Sequence, residues 1–235
     1  MASGHRMTAR PGPTAGAGDL AGDVEIEAGR ARLPGHLTVP SDAPEVVVFA
    51  HGSGSSRDSP RNRYVAAVLN QAGLGTLLFD LLTPEEETDR ANVFDIALLA
   101  QRLARATAWL RSQPPVAGLP VGYFGASTGA AAALWAAAER GANIAAVVSR
   151  GGRPDLAGAR LGAVRAPTLL IVGEDDETVL RLNWHARAEL RCQSELAVVP
   201  GATHLFAEPG TLARAAGLAR DWFTSHLDTS SFLQG

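Results

Sequence analysis

Gly125-Ala126-Ser127-Thr128-Gly129 stands between the apolar run Val121-Gly122-Tyr123-Phe124 and an alanine-rich run from Thr128 to Arg140. The pattern is G-x-S-x-G. It predicts a short strand, a sharp turn with the serine at its tip, and a helix behind it. Side chains on the flanking positions would crowd such a turn, so glycine is wanted at both. The apolar run suits a buried strand, and the alanines favour the helix. A serine mounted in this way is a candidate nucleophile. An ordinary strand–turn–helix is the competing reading of these five residues.

A serine nucleophile needs a base, and the base needs an acid to fix its tautomer. In hydrolases built on this elbow both follow the serine in the chain. Thr168-Leu169-Leu170-Ile171-Val172 reads as a buried strand, and Gly173-Glu174-Asp175-Asp176 follows it. Leu196-Ala197-Val198-Val199-Pro200 reads as another, followed by Gly201-Ala202-Thr203-His204. Ser127, the acidic turn and His204 thus each fall just past the C-terminal end of a strand, where ligands bind in open α/β sheets. His204 is the expected base. Glu174, Asp175, Asp176 and Glu177 all compete for the acid.

The rest of the chain alternates between strand and helix patterns. Val24 to Ala28 and His36 to Val39 form an expected hairpin with a turn around Ala31 to Gly35. Strands follow at Val46 to Ala50, Thr76 to Phe79 and Ile144 to Val148. Helices are expected from about Arg61 to Ala72, Ala91 to Ser112, Val179 to Arg191 and Thr211 to His226. Phe94, Leu98, Leu99 and Leu103 recur at helical spacing, and Pro114-Pro115 ends that helix. Such alternation predicts an α/β fold with a mostly parallel central sheet and helices on both faces.

With these motifs the chain resembles the α/β-hydrolases, and more narrowly the small members related to dienelactone hydrolases. The resemblance runs from about Val46 to Leu227 and rests on four motifs in order: His51-Gly52-Ser53-Gly54, the Ser127 elbow, the Gly173 to Asp176 turn and the Gly201 to His204 turn. It implies an α/β-hydrolase fold and favours Asp176 as the acid, with Asp175 next. It also implies an oxyanion hole made by the backbone N–H groups of Ser53 and Thr128, with His51 holding the loop rather than acting as base. Many relatives insert a helical cap after the sixth strand. The short span from Ser149 to Pro167 leaves little room for one. Dienelactone hydrolase itself carries Cys at the elbow where this chain has Ser127, so its substrate is not carried over.

The implied activity is a serine hydrolase cleaving carboxylic esters, lactones or thioesters, without metal or organic cofactor. Acyl transfer, peptide cleavage, C–C bond hydrolysis and non-catalytic ligand binding are the alternatives on this fold. Arg57 and Arg150, with Arg61, Arg63 and Arg153 near them, are candidates for binding a substrate carboxylate; solvated loop arginines are the plainer reading. Asp80 and Glu85-Glu86-Glu87 read as a polar strand end and a solvated loop.

Composition sets modest bounds. The chain has 235 residues, 46% of them hydrophobic and 19% charged, with net charge −3. That describes one globular domain, expected over residues 23–228, with tails at 1–22 and 229–235. There is no lysine and no G-x-x-x-x-G-K-[ST], which argues against a Walker-type phosphate loop. The charge gives no support to nucleic-acid binding. No apolar stretch is long enough to span a membrane, and no secretory signal is visible, so a cytoplasmic location is expected. The lone Cys192 cannot form an internal disulfide and is expected in a helix. His5, His36, His185 and His226 have no partner pattern, and no metal-ligand spacing appears. The expected partner is a small ester-type molecule, with homo-oligomerisation left open.

Overall fold

Alternating burial builds the edge of the sheet. Ile26, Ala28, Ala31, Leu33, Leu37 and Val39 are buried, while most residues between them are not. This period of two folds β1 (Leu20–Ala28) and β2 (Ala31–Val39) into an antiparallel hairpin. The computed structural model describes residues 19–226. The two tails expected from sequence lie mostly outside them, although β1 already begins at Leu20. The hairpin turns at Gly29-Arg30, with Gly29 at φ 77°, rather than around Ala31 to Gly35. A two-residue turn of this hand needs a positive φ, which glycine supplies without penalty.

The other strands are β3 (Val46–Ala50), β4 (Gly75–Phe79), β5 (Val121–Ala126), β6 (Val147–Arg150), β7 (Thr168–Gly173) and β8 (Ser194–Val199). The eight-stranded order is β1-β2-β4-β3-β5-β6-β7-β8. β2 runs antiparallel to β4, and every pairing from β4 through β8 is parallel. β3 to β7 are buried at every residue. That is the expectation for strands covered on both faces.

The helices are α1 (Pro60–Gln71), α2 (Pro84–Glu87), α3 (Arg90–Phe94), α4 (Ile96–Arg111), α5 (Thr128–Ala137), α6 (Glu177–Glu189) and α7 (Thr211–Ser225). α1 and α7 cover one face, where Val65, Leu69, Ala216 and Phe223 pack against Val47, Phe49, Phe124 and Val148. α4, α5 and α6 cover the other, where Leu103, Ala131, Leu134 and Ala186 join Val46, Val48 and Tyr123. Ala130 to Ala133 and Leu134 are wholly buried, so the first turns of α5 are enclosed on every side.

Several boundaries differ from the sequence expectation for local reasons. The long helix expected over Ala91 to Ser112 is broken at Asp95, whose carboxylate accepts from Leu98 N at 3.0 Å and starts α4 afresh. Glu85-Glu86-Glu87 are helical rather than loop. Thr83 and Glu86 form a capping box around α2. β6 is shifted toward its C-terminal end, because its ladder begins only at Val147, opposite Tyr123 and Thr168. Arg150 is therefore a strand residue. α6 stops at Glu189, which leaves Cys192 outside it, half-buried with Sγ 3.8 Å from Thr168 Oγ1.

Between β6 and β7 the chain holds only 3₁₀ turns, Pro154–Ala163, broken at Gly158. Among the described residues there is no cap domain. The topology is the mostly parallel, two-face-covered sheet that the α/β-hydrolase resemblance implies. Among the described residues no helix is long and apolar enough to cross a membrane.

Candidate active site

Ser127 links β5 to α5 with φ 52° and ψ −122°. A non-glycine residue at positive φ carries strain that the surroundings must enforce. Two glycines make that possible. A Cβ on Gly125 would lie 2.7 Å from Ala130 N, and one on Gly129 would collide with the Ala50 and His51 carbonyl oxygens. The helix can thus start directly behind the serine and press against the end of β3. Ser127 N donates to the Arg150 carbonyl at 3.3 Å, and Arg153 N donates to the Ser127 carbonyl at 3.0 Å. Among the described residues Ser127 Oγ makes no hydrogen bond.

His204 lies in the loop after β8, and its Nδ1 is 2.6 Å from Asp176 Oδ2. An ionised carboxylate only accepts, so the ring proton is on Nδ1 and the Nε2 lone pair is free. Asp176 holds the N-cap position of α6 yet makes no cap bond with its side chain. Its carboxylate is left for the histidine. It is largely shielded, at 14% side-chain exposure against 40% for His204. Asp175 and Glu174 are exposed, and Glu174 Oε2 accepts from Gly201 N at 3.1 Å. Of the competing acids, the fold brings Asp176 to His204.

Glu208 supports the histidine loop, which sequence reasoning missed. Its carboxylate accepts from Thr203 Oγ1 at 2.6 Å and from Thr203 N at 3.1 Å. Those bonds hold its pKa below the usual glutamate value. The only signal was an acid a few residues past the histidine. Phe206, at φ 54°, completes the turn. A Cβ on Gly151 would lie 3.6 Å from His204 Nδ1, so the end of β6, which contacts Ser127, also contacts this loop.

The loop after β3 approaches from the other side. A Cβ on Gly52 would stand 2.9 Å from Ser127 Cβ. His51 is buried; its Nε2 accepts from Leu81 N at 3.0 Å and its Nδ1 donates to the Gly52 carbonyl at 3.0 Å. It ties this loop to the end of β4 and has no nitrogen to spare as a base. Ser53 N–H, expected to point at an oxyanion, donates to Thr128 Oγ1 at 2.9 Å. A cavity of about 360 Å³ opens here, walled by the His51 to Ser56 loop, Leu81, Leu82, Glu87, Val93, Leu99 and Thr128.

Of the two arginines proposed for a substrate carboxylate, Arg57 is paired and Arg150 is buried. Asp80 accepts from Arg57 N at 2.7 Å and forms an ion pair with its guanidinium. Arg150 is buried, with its guanidinium 5.8 Å from the Phe124 ring centre and 5.9 Å from that of Phe206. Its Nη2 donates to Asn62 Oδ1 at 3.4 Å and its Nη1 has no partner. Burial, with Arg61 nearby, brings its pKa down to about 10. Arg153 pairs with Asp155 through two bonds of 2.9 and 2.7 Å. Neither Arg57 nor Arg150 lines the cavity. Among the described residues no group of three or more His, Cys, Asp or Glu could hold a metal ion.

Comparison with known proteins agrees with this architecture. The model of the Dienelactone hydrolase family matches residues 33–228. Two Mycobacterium tuberculosis proteins, each named "Putative phosphoribosyl transferase", are 64% identical over 220 residues, which is 91% of this chain and 50% of each relative. The chain therefore spans about half the length of the curated relatives it matches. A crystal structure of dienelactone hydrolase from Anabaena variabilis is similar at TM-score 0.86 and 54% identity, covering 89% of this chain and 99% of that one. A dienelactone hydrolase-like promiscuous phosphotriesterase from metagenomic libraries shares the fold at TM-score 0.72 and 21% identity, covering 89% and 99%. The family match takes in β3 to β8, most of β2 and the loops that carry Ser127, Asp176 and His204, and the chain belongs to the dienelactone hydrolase family.

Proposed function

We propose that the protein is a serine hydrolase of small carboxylic esters, lactones or thioesters. The observation that carries this reading is the His204–Asp176 pair, 2.6 Å apart, on the same sheet edge as the strained Ser127. His204 Nε2 takes the Ser127 proton as Oγ bonds to the substrate carbonyl carbon. The tetrahedral intermediate collapses, the bond to the leaving alcohol breaks, and His204 returns the proton to that alcohol. Water then attacks the acyl-enzyme, again with His204 as base, and Ser127 is regenerated as the acid leaves. Asp176 fixes the histidine tautomer and stabilises its charged form. The donors at the start of α5 stabilise the oxyanion.

The cavity beside the elbow supports a small substrate. Its walls combine four apolar side chains with the Ser- and Gly-rich loop, its one acidic side chain is Glu87, and no arginine lines it. That favours an uncharged acyl or alcohol group over a carboxylate. The phosphoribosyl transferase name is carried by relatives about twice this chain's length and remains with those proteins.

Intact-protein mass after exposure to a small fluorophosphonate tests the reading, with Ser127→Ala alongside. A single adduct on the wild type and none on the variant is expected. A folded wild type that takes no adduct, or a Ser127→Ala variant with undiminished esterase activity, overturns it.

A further inference from the structure

Ser53 N–H is not a free arm of the site. It donates to Thr128 Oγ1 at 2.9 Å, and the loop that carries it is fixed on both sides. His51 anchors one end to Leu81, and Ser55 N donates to the Gly52 carbonyl at 3.2 Å. A threonine hydroxyl has one donor and two acceptor sites. Ser53 N–H occupies an acceptor site, and among the described residues the hydroxyl proton has no protein acceptor. Thr128 is only 4% exposed, yet it follows Ser127 directly and lines the cavity beside the elbow. It is also the first residue of α5, where a backbone N–H has no acceptor within the helix.

We propose that the Thr128 hydroxyl is itself an oxyanion donor, working beside the Thr128 backbone N–H while Ser53 N–H holds it in place. This rests on the serine-hydrolase reading above. The hydroxyl's hydrogen bond strengthens as charge grows on the carbonyl oxygen, and no proton is transferred by it. Accepting from Ser53 N–H polarises the hydroxyl and makes it a better donor. One threonine then supplies both donors, and the loop after β3 acts as its brace.

The test uses the full chain with p-nitrophenyl acetate, reading kcat and KM separately, and the rate of inactivation by the fluorophosphonate. Thr128→Val keeps the shape and removes the hydroxyl. Its kcat is expected to fall about 10²-fold, the usual effect of losing one oxyanion donor. KM should stay within about threefold, since the interaction belongs to the transition state. Inactivation should slow in parallel, and Thr128→Ser should restore most of the rate. Thr128→Val and Thr128→Ala both free Ser53 N–H, so a hole built on Ser53 N–H would gain a donor in either, and the smaller Ala leaves it room to reach the oxyanion. A rate as low as that of Thr128→Val supports the proposal. A Thr128→Ala rate near wild type, or a Thr128→Val variant with wild-type kcat, overturns it. Failure of the wild type to take the fluorophosphonate at all removes the hydrolase reading and this one with it.

Discussion

Replacing Glu45 by Gln should flatten the dependence of stability on pH. Glu45 immediately precedes β3, at the end of the sheet opposite Ser127, and is completely buried. Neither carboxyl oxygen has a hydrogen-bond partner. The absent side chain of Gly122 makes the space: a Cβ there would collide with Glu45 Oε1 and lie 2.7 Å from Phe223 Cε1. Burial pushes the carboxyl up to about 8, from 4.5 in the unfolded chain. Between those values the folded protein holds a proton that the unfolded chain has released. Stability from this group is therefore fully present at the acid end, is lost as pH rises through the window, and levels off above about 8. Between pH 5 and 8 the loss integrates to about 3 kcal/mol. At about 2–4 °C per kcal/mol for a domain of this size, that is roughly 10 °C in Tm. Glutamine cannot ionise, so the Tm of Glu45→Gln minus that of the wild type should grow across this range. Differential scanning calorimetry at intervals of half a pH unit measures it, and taking the difference removes the other titrating groups. Parallel Tm profiles for the two proteins would refute the reasoning.

Further predictions follow from the site and its supports. Asp176→Asn should lower kcat on an ester by about 10³–10⁴-fold with the fold intact, because its side chain orients His204 and caps nothing; steady-state kinetics with circular dichroism checks both halves. Arg57→Met should destabilise by about 2–3 kcal/mol by leaving Asp80 shielded and unpaired, and adding Asp80→Asn should recover much of it in urea titrations. Gly129→Ala should cost more than about 3 kcal/mol, because the new methyl meets two backbone carbonyls that cannot move aside; recovery of little soluble folded protein is the expected sign.

The parts legible in the sequence are those written in consecutive residues. G-x-S-x-G reports its own turn, because the glycines are demanded by contacts with the next few residues and with β3. The order of strands and helices was likewise readable from apolar runs and helical spacing, and with it the α/β fold. The boundaries that moved were decided by single side chains or by distant pairing. Asp95 interrupts a helix whose apolar spacing looks continuous, because a cap bond to Leu98 N outweighs periodicity. The Thr83–Glu86 capping box could have been read, but three successive glutamates suggested solvent. The start of β6 depends on where β5 and β7 offer partners, which no local pattern encodes. The engagements of Ser53 with Thr128 and of Arg57 with Asp80 join residues 75 and 23 positions apart. Their types were visible and their meeting was not.

The four successive buried alanines of α5 have a consequence for how this fold could acquire new substrates. Ala130 to Ala133 leave no slack beneath the serine, so any enlargement there must lift the helix and tilt the nucleophile with it. The lineage can neither widen nor reshape its pocket from below. Variation that changes what is accepted has to come from the opposite cavity wall, among Leu81, Leu82, Val93 and Leu99. A library confined to those four positions should yield altered specificities with Ser127 still reactive, whereas one spread over α5 should yield mostly inactive chains.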